Sequence, residues 1–497
     1  MTSVRGDTLT SVLDRTADEH GPRPALLSER RSLDWESLRR ESNQVAHLLL
    51  RSGVRPGDVV GFAMDKRAEV VVGFLACARI GAIVAPVNFK LPAAQVRDQF
   101  VTAGITAVFA QRDYLPLFEG LVDARRTIAV GEAFAVPYSD HAMLPATAPT
   151  GFVPKPDTVC YYNYTSGTTG RPKGAVTTHG NVLENAASTI EGLGFRAEDV
   201  FLGMFSVFAH PHELFHRSLL LGGSFAIVDS LSPRIIADAI ERYGVTWMMA
   251  VPSFYEMLAG CDRPLRTLRV LEAGGAHVGP DVVARMESTF GATFLPVWGC
   301  TEGTGVGLAR RGDVFSYAMP GYALAVRDED GRPVESGQVG ELWIRGPAVS
   351  SGYVNAPDET RHLFRDGWYR TQDLVRSDGT GVELVGRLSE MMKIGGIRVY
   401  PLEIEEVLRA HPEVRAAVVV GAAERIRGEI ARAVVELVPG SAVSRNALLA
   451  FCRKQVAGYK VPRVLEIWSS IPRLPNGKVD RRAILDRPVD PVRDDRA

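Results

Sequence analysis

The sequence predicts an α/β protein: a large N-terminal domain of αβ-layered sheets with a β-rich subdomain, then a small, mobile α+β C-terminal domain. Three observations carry that expectation. Through the first third of the chain, short β-branched runs alternate with amphipathic stretches, the pattern of βαβ units and mainly parallel sheet between helices. From about Gly331 the texture changes to short strands and glycine turns. The last stretch, about one hundred residues, mixes helix and strand again and is long enough for its own domain.

Each element follows in order. "DVVGFAM" reads as a strand, Ala68 to Arg79 as a helix and "AIVAPVN" as a strand. "PAAQVRDQFVTAG" reads as a helix and "AVFAQ" as the next strand, while "VPYSDHAMLPATAPTGFVPKPD" reads as a surface loop because of its proline and small residues. "GQVGELWIRGPAVSSGYV" has the strands and turns of the β-rich subdomain. After "ELVGRLSEMMKIGG" come a helix ("PLEIEEVLRAHP"), strands ("VRAAVVVGA", "ARAVVELV") and a helix from about Ser444. The expected domains are 1–388, 389–485 and a disordered tail, 486–497.

Bulk properties narrow the function. A formal net charge of -1 gives no steering toward nucleic acid or an acidic membrane surface. The apolar run "VVVGFLACARIGAIVAPV" is broken by Arg79 and preceded by Arg67 and Glu69, so it reads as a buried helix and strand rather than a membrane span. The N-terminus lacks the layout of a signal peptide. Cys77, Cys160, Cys261, Cys300 and Cys452 have neither metal-ligand nor disulfide spacing, as expected in a reducing cytoplasm.

Two segments carry chemistry. In "HPHELFH" (His210–His216), His212, Glu213 and His216 fit the His-Glu-x-x-His zinc pattern, two ligands on one helix face with a general base between them. The metzincin continuation fails, because Leu219 stands where glycine is required; Glu241 is the nearest thermolysin-like third ligand. The second segment is "YYNYTSGTTGRPKG" (Tyr161–Gly174). An apolar strand runs into Thr165, Ser166, Gly167, Thr168, Thr169 and Gly170, whose N–H and hydroxyl groups can wrap a polyphosphate while Lys173 supplies charge. Its spacing is not that of a P-loop, and "GTGVG" at Gly303–Gly307 lacks the third glycine of a dinucleotide fingerprint.

"YTSGTTGRPKG" resembles the signature loop of the adenylate-forming superfamily: acyl- and aryl-CoA synthetases, luciferases and peptide-synthetase adenylation domains. Further motifs follow in the family's order, and the overall likeness is greatest to an acyl-CoA synthetase. "EAGGAHVG" places Gly274, Gly275 and Ala276 where the family has a small-residue loop against adenine and acyl group. "VWGCTEGTG" resembles its aromatic-Gly-x-Thr-Glu segment, which implies Thr301 at the α-phosphate, Glu302 on Mg²⁺ and Trp298 in place of the usual tyrosine. "GWYRTQDL" implies Asp373 on the ribose hydroxyls, with Gln372 where the family has glycine. "GRLSEMMKIGGIRVYPLEIEEVL" implies Arg387 at the ribose, Ser389 at the hinge, Gly395 and Gly396 along the pantetheine tunnel, and Arg398 near phosphate. "PRLPNGKVDRRAIL" implies that Lys478 reaches the substrate carboxylate and α-phosphate.

The resemblance implies ATP-dependent adenylation of a carboxylic acid with release of pyrophosphate, then transfer to coenzyme A. A carrier-protein phosphopantetheine is the alternative acceptor, and a zinc peptidase is the reading from the other class. The expected partner is a small-molecule acid, with no nucleic acid and no integral membrane association, in a monomer or homodimer. "GMFSVFAHPHELF" offers no aspartate for an α-amino group, which points away from amino acids. Gly303, Gly305 and Gly307 leave room for a bulky hydrophobic acid, and the resemblance implies His210 as the candidate for the family's acyl-tunnel gate.

Overall fold

A computed structural model describes residues 4–131, 136–164, 173–261, 263, 265–310, 316–424, 428–473 and 479–488. Contacts divide the chain into two compact units. One runs to Leu324 and includes Ile344–Arg370; the other comprises Ala325–Trp343 and the chain from Thr371 onward.

The first unit holds two sheets. One has the order Val136–Pro137, Thr127–Val130, Ile105–Gln111, Val59–Ala63, Ile83–Pro86, Val159–Tyr164, Gly174–Thr178. Its pairs are parallel except the last, in which Val159–Tyr164 and Gly174–Thr178 run antiparallel. The other has a parallel centre, Pro24–Leu27, Ser224–Ala226, Val200–Gly203, Trp247–Ala250, Val270–Ala273 and Thr293–Cys300. At its far side Thr293–Cys300 turns back antiparallel into Gly305–Arg310, and the connection is the turn Thr301–Thr304. The βαβ alternation expected from the sequence is therefore present, with each strand close to its expected place.

The apolar run forms the helix Ala68–Ile80, in which every residue is buried. A helix that is apolar on all sides must be enclosed on all sides, and its two charged residues are paired: Arg67 Nε lies 2.9 Å from Glu69, and Arg79 reaches Asp14 at 2.6 Å. Phe74 packs against Tyr161 and Phe215 with ring centroids 5.5 Å from each. Among the described residues no helix is long and apolar enough to cross a membrane.

The stretch read as a surface loop is more ordered than expected. Val136–Pro137 pairs with Thr127–Val130, and Tyr138–Met143 forms a 3-10 turn. The cause is a buried partner distant in sequence: the Tyr138 hydroxyl donates to Glu41, which Arg31 grips at 2.9 and 2.8 Å.

In the second unit, the part of strand Trp368–Ser377 from Thr371 onward pairs antiparallel with Val382–Arg387, with Asp373 directly opposite Arg387. A five-stranded sheet follows, in the order Ile397–Val399, Met392–Ile394, Gly428–Leu437, Val414–Glu424, with Val464–Ile467 on Gly428–Leu437. Helices Pro401–Arg409 and Arg445–Gln455, the latter capped by Ser444, cover it through Ile404, Leu408, Leu448 and Cys452.

Truncating a fully enclosed aromatic removes transfer energy and leaves a cavity, so Phe74→Ala is expected to cost about 3–5 kcal/mol. Val101→Ala, at a side chain 71% exposed, should stay within about 0.5 kcal/mol. Urea midpoints of the two variants check this.

Candidate functional site

The first unit gathers one group of the expected residues around the turn Thr301–Thr304. Thr304 has φ 57, a conformation that costs a non-glycine residue about 1 kcal/mol, and its neighbours hold it there. The Thr304 hydroxyl donates to Ala348 O (2.6 Å), the Ser350 N–H donates to Glu302 O (2.7 Å), and the Tyr322 hydroxyl donates to Gly303 O (2.6 Å). Glu302 is buried, and the Tyr353 hydroxyl donates to its carboxylate.

The same segment, Ala348–Val354, also holds the strand that leaves the Thr/Ser/Gly loop. Val176 N–H donates to Gly352 O (2.9 Å) and Val354 N–H to Gly174 O (2.8 Å), and Ala175 pairs with Tyr353. This places Lys173 Nζ 5.8 Å from the centre of the Tyr353 ring and 3.9 Å from Glu359. Loop residues Thr165, Ser166, Gly167, Thr168, Thr169 and Gly170, and the C-terminal Lys478, lie outside the described residues. Gly274, Gly275 and Ala276 follow Val270–Ala273, with Gly275 and Ala276 exposed. The Trp298 ring faces Gly307, 3.5 Å from where a Cβ there would lie.

A Mg²⁺ ion that arrives on nucleotide phosphates needs only one or two protein carboxylates, because phosphate and water supply the rest. The buried Glu302 carboxylate is a ligand of that kind. Among the described residues no group of three or more His, Cys, Asp or Glu could cage a metal.

The second unit carries the other group. Asp373 is buried, and Arg387 Nε lies 2.9 Å from its carboxylate. Gln372 has φ 61, which gives a physical reason for the family's glycine there. Gly395 and Gly396, both at positive φ (58 and 83), form the two-residue turn between Met392–Ile394 and Ile397–Val399; that geometry is the one Gly-Gly supplies in tight hairpins. Arg398, next to this turn, is paired with Glu329 at 2.7 Å.

The zinc reading is overturned. His212 and His216 do not share a helix: Pro211–Leu214 is a 3-10 turn and a separate helix begins at His216, with Phe215 (φ -136) between them. Both His212 nitrogens are engaged. Nε2 donates to Thr304 O (3.1 Å), so Nδ1 accepts from the Tyr161 hydroxyl (2.7 Å). His216 Nε2 donates to Asn185 Oδ1 (3.3 Å), and the Asn185 amide donates to Val306 O and the Tyr322 hydroxyl. His210, half-buried, meets Asn163 at 3.0 Å. The room that glycine leaves at 305 is taken by this cluster: a Cβ there would stand 2.4 Å from Glu213 Oε1, and Gly305 has φ 116.

Burial sets the charge state of the cluster. It pushes the Glu213 carboxyl up to about 8 against the opposing pull of Arg217, and nearby Glu272 adds to the rise. It pushes His212 down to about 3, helped by His210 and Arg217, and His216 well below its ordinary range.

Sequence reasoning missed Tyr353, Asn185, Tyr322 and the pair Arg217–Glu272. The only available signals were an aromatic after glycine in "SGYV" and two oppositely charged residues inside apolar runs.

The family model "AMP-binding enzyme" matches residues 13–354, and "AMP-binding enzyme C-terminal domain" matches residues 403–478. A feruloyl-CoA synthase from Amycolatopsis sp is 32% identical over 90% of this chain and 92% of its own. The fatty acid–[acyl-carrier-protein] ligase ScoC from Streptomyces coeruleorubidus is 31% identical over 97% of this chain and 96% of its own. The crystal structure of ATP-bound MatB from Rhodopseudomonas palustris is 26% identical, with a TM-score of 0.87 over 96% of this chain and 98% of that one.

The buried titrating groups set a pH dependence. Folded Glu213 keeps its proton to about pH 8 while the unfolded carboxyl releases it near 4.5, so its contribution to stability falls as pH rises between those values. His212 and His179, lowered to about 3 and 4 from 6.5, stay neutral when folded, so their contribution falls as pH drops below 6.5. These groups place maximum stability near pH 6.5. The loss from there to pH 8, about 2 kcal/mol for one proton, should be absent in Glu213→Gln. Urea unfolding at pH 6.5 and 8 compares the two slopes.

Proposed function

We infer what this chain does from the fact that it belongs to the AMP-binding enzyme family. It activates a carboxylic acid with ATP and passes the acyl group to the thiol of coenzyme A. The observation that carries this reading is that Lys173, at the end of the phosphate loop, and the Glu302 carboxylate meet on one side chain, Tyr353.

In the first half-reaction a carboxylate oxygen of the acid bonds to the α-phosphorus of ATP, and the bond to pyrophosphate breaks. Negative charge accumulates as this happens, so catalysis is mostly positioning and electrostatic. Lys173 and the loop N–H groups bind the phosphates, Thr301 contacts the α-phosphate, and Lys478 reaches both the acid and the α-phosphate. Asp373 and Arg387, paired across two strands, hold the ribose. Glu302 would hold a Mg²⁺ ion, which would supply charge neutralisation at the phosphates. In the second half-reaction the thiol sulfur bonds to the acyl carbonyl carbon, AMP leaves and the thiol proton passes to solvent. Residues 389–485 turn about Ser389 between the halves, exchanging Lys478 for the exposed Gly395–Gly396 turn.

The substrate is a hydrophobic acid without an α-amino group, aromatic like ferulate or aliphatic like a fatty acid. The likeness to an acyl-carrier-protein ligase supports phosphopantetheine on a carrier protein as the second acceptor. Cysteines with no disulfide among the described residues support a cytoplasmic location.

A panel of aryl and aliphatic acids assayed for pyrophosphate release, with coenzyme A, carrier protein or neither, identifies acid and acceptor together; no release with any acid rejects the reading. Lys478→Ala is expected to lower acid-dependent pyrophosphate release at least a hundredfold yet still convert a supplied acyl-adenylate to thioester. Asp373→Ala is expected to raise KM for ATP about tenfold, and an unchanged KM removes the ribose role.

A further inference from the structure

We propose that Tyr353 is a positioning residue for the metal–nucleotide complex: its hydroxyl orients Glu302 while its ring carries Lys173. The proposal rests on the ATP-site reading and adds to it a residue that no motif of the sequence marks.

The backbone makes the case first. Ala348–Val354 is held at one end by the turn Thr301–Thr304, through Thr304 Oγ1 to Ala348 O (2.6 Å) and Ser350 N–H to Glu302 O (2.7 Å). At its other end it pairs with the strand after the phosphate loop, through Val176 N–H to Gly352 O (2.9 Å) and Val354 N–H to Gly174 O (2.8 Å). The Ser350 hydroxyl ties the two ends together by donating to Val176 O (2.7 Å). The segment is thus a strap between the two pieces of chain that handle phosphate and metal.

Tyr353 repeats that bridge with its side chain. It is 8% exposed, and its hydroxyl donates to Glu302 Oε1. A phenol donating to a carboxylate is a charge-assisted bond, short and directional, and it fixes the plane in which the carboxylate presents its oxygens. The ring is held from its edge by Phe364, with centroids 5.6 Å apart at 77°, and the hydroxyl is also hydrogen-bonded with Tyr369. Lys173 Nζ sits 5.8 Å from the ring centre, within the range of a cation–π contact. Glu359, 3.9 Å from Nζ, steadies the ammonium without a close ion pair. Metal carboxylate and phosphate cation are therefore spaced by one rigid aromatic.

The hydroxyl and the ring have separable consequences. Tyr353→Phe keeps the ring and removes only the orienting hydroxyl. Tyr353→Leu removes both. Mn²⁺ serves as a spectroscopic substitute for Mg²⁺, and α,β-methylene-ATP as a nucleotide that cannot be cleaved, so no acid substrate is needed. Full-length protein is titrated with Mn²⁺ in the presence of the analogue by electron paramagnetic resonance, and with analogue alone in EDTA by calorimetry.

Tyr353→Phe is expected to weaken Mn²⁺ binding in the nucleotide complex about tenfold, with metal-free analogue affinity changed less than twofold. Tyr353→Leu is expected to weaken both. Thermal unfolding accompanies each variant, and Tyr353→Trp, which keeps a π face for Lys173, is expected to restore metal-free affinity relative to Leu. Unchanged Mn²⁺ binding in a folded Phe variant overturns the proposal while leaving the ATP-site reading intact. So does a parallel loss of metal and nucleotide affinity tracking a lowered Tm, which is a structural role only. Wild-type protein that binds neither probe overturns both.

Discussion

At the centre of the larger unit a guanidinium and a carboxylate face each other with almost no access to water. Arg217 Nη1 and Nη2 lie 2.6 and 3.0 Å from the two oxygens of Glu272. Such a pair is costly to bury and is tolerated only when every remaining donor and acceptor is satisfied. Here Arg217 Nε donates to the Thr189 hydroxyl (3.0 Å), Trp247 Nε1 donates to Glu272 Oε2 (2.8 Å), and the Tyr255 hydroxyl donates to Glu272 O (2.8 Å). The network joins three helices and two strands. Glu272 stands two residues before Gly274, so the start of the small-residue loop is fixed by it. Arg217 directly follows His216, so the polar cluster is fixed by it too. The charges act at a distance as well: Glu272 raises the Glu213 carboxyl, and Arg217 lowers both histidines.

The fold was largely legible because its signals are local. An all-apolar helix such as Ala68–Ile80, or a strand such as Val59–Ala63, announces itself within a dozen residues through composition and period. Likewise, Ser444 before its helix and Gly-Gly between two short strands are local backbone chemistry. The sequence marks candidate site residues only where the pattern is local, in runs such as the Thr/Ser/Gly loop and the Thr301–Glu302 turn. What escaped is non-local. Tyr353 matters because its segment pairs with Gly174–Val176, and Tyr138 is buried because Glu41 waits for it; neither partner can be read from the neighbouring sequence.

"HELFH" shows the opposite error, a local pattern whose context removes its meaning. The spacing of His212 and His216 is a ligand spacing only on a continuous helix. The backbone breaks at Phe215, and each imidazole is turned to a partner contributed by a different element: Tyr161 and Thr304 for the first, Asn185 for the second. His212, with both nitrogens hydrogen-bonded, has no lone pair to offer a metal, and without it His216 is a single imidazole whose Nδ1 has no partner among the described residues and no companion ligand on its own helix.

The charge distribution around Thr301–Gly305 bears on the kind of acid proposed. On one side of this turn stand the groups that handle charge, Glu302 and Lys173, joined through Tyr353. On the other, packed against Gly305, a buried cluster is held neutral: Arg217 pairs with Glu272, His212 and His216 are kept unprotonated by burial, and Glu213 keeps its proton at neutral pH. Burying a second unpaired charge beside that cluster would cost far more than one polar contact returns. For the proposed reaction, an acid with an uncharged body avoids that cost. The two carboxylates of that cluster are Glu213, which keeps its proton, and Glu272, committed to Arg217, so neither is offered to the ammonium of an α-amino acid. The absence of an aspartate noted in the sequence and the neutral state of the buried cluster are thus two expressions of one electrostatic preference.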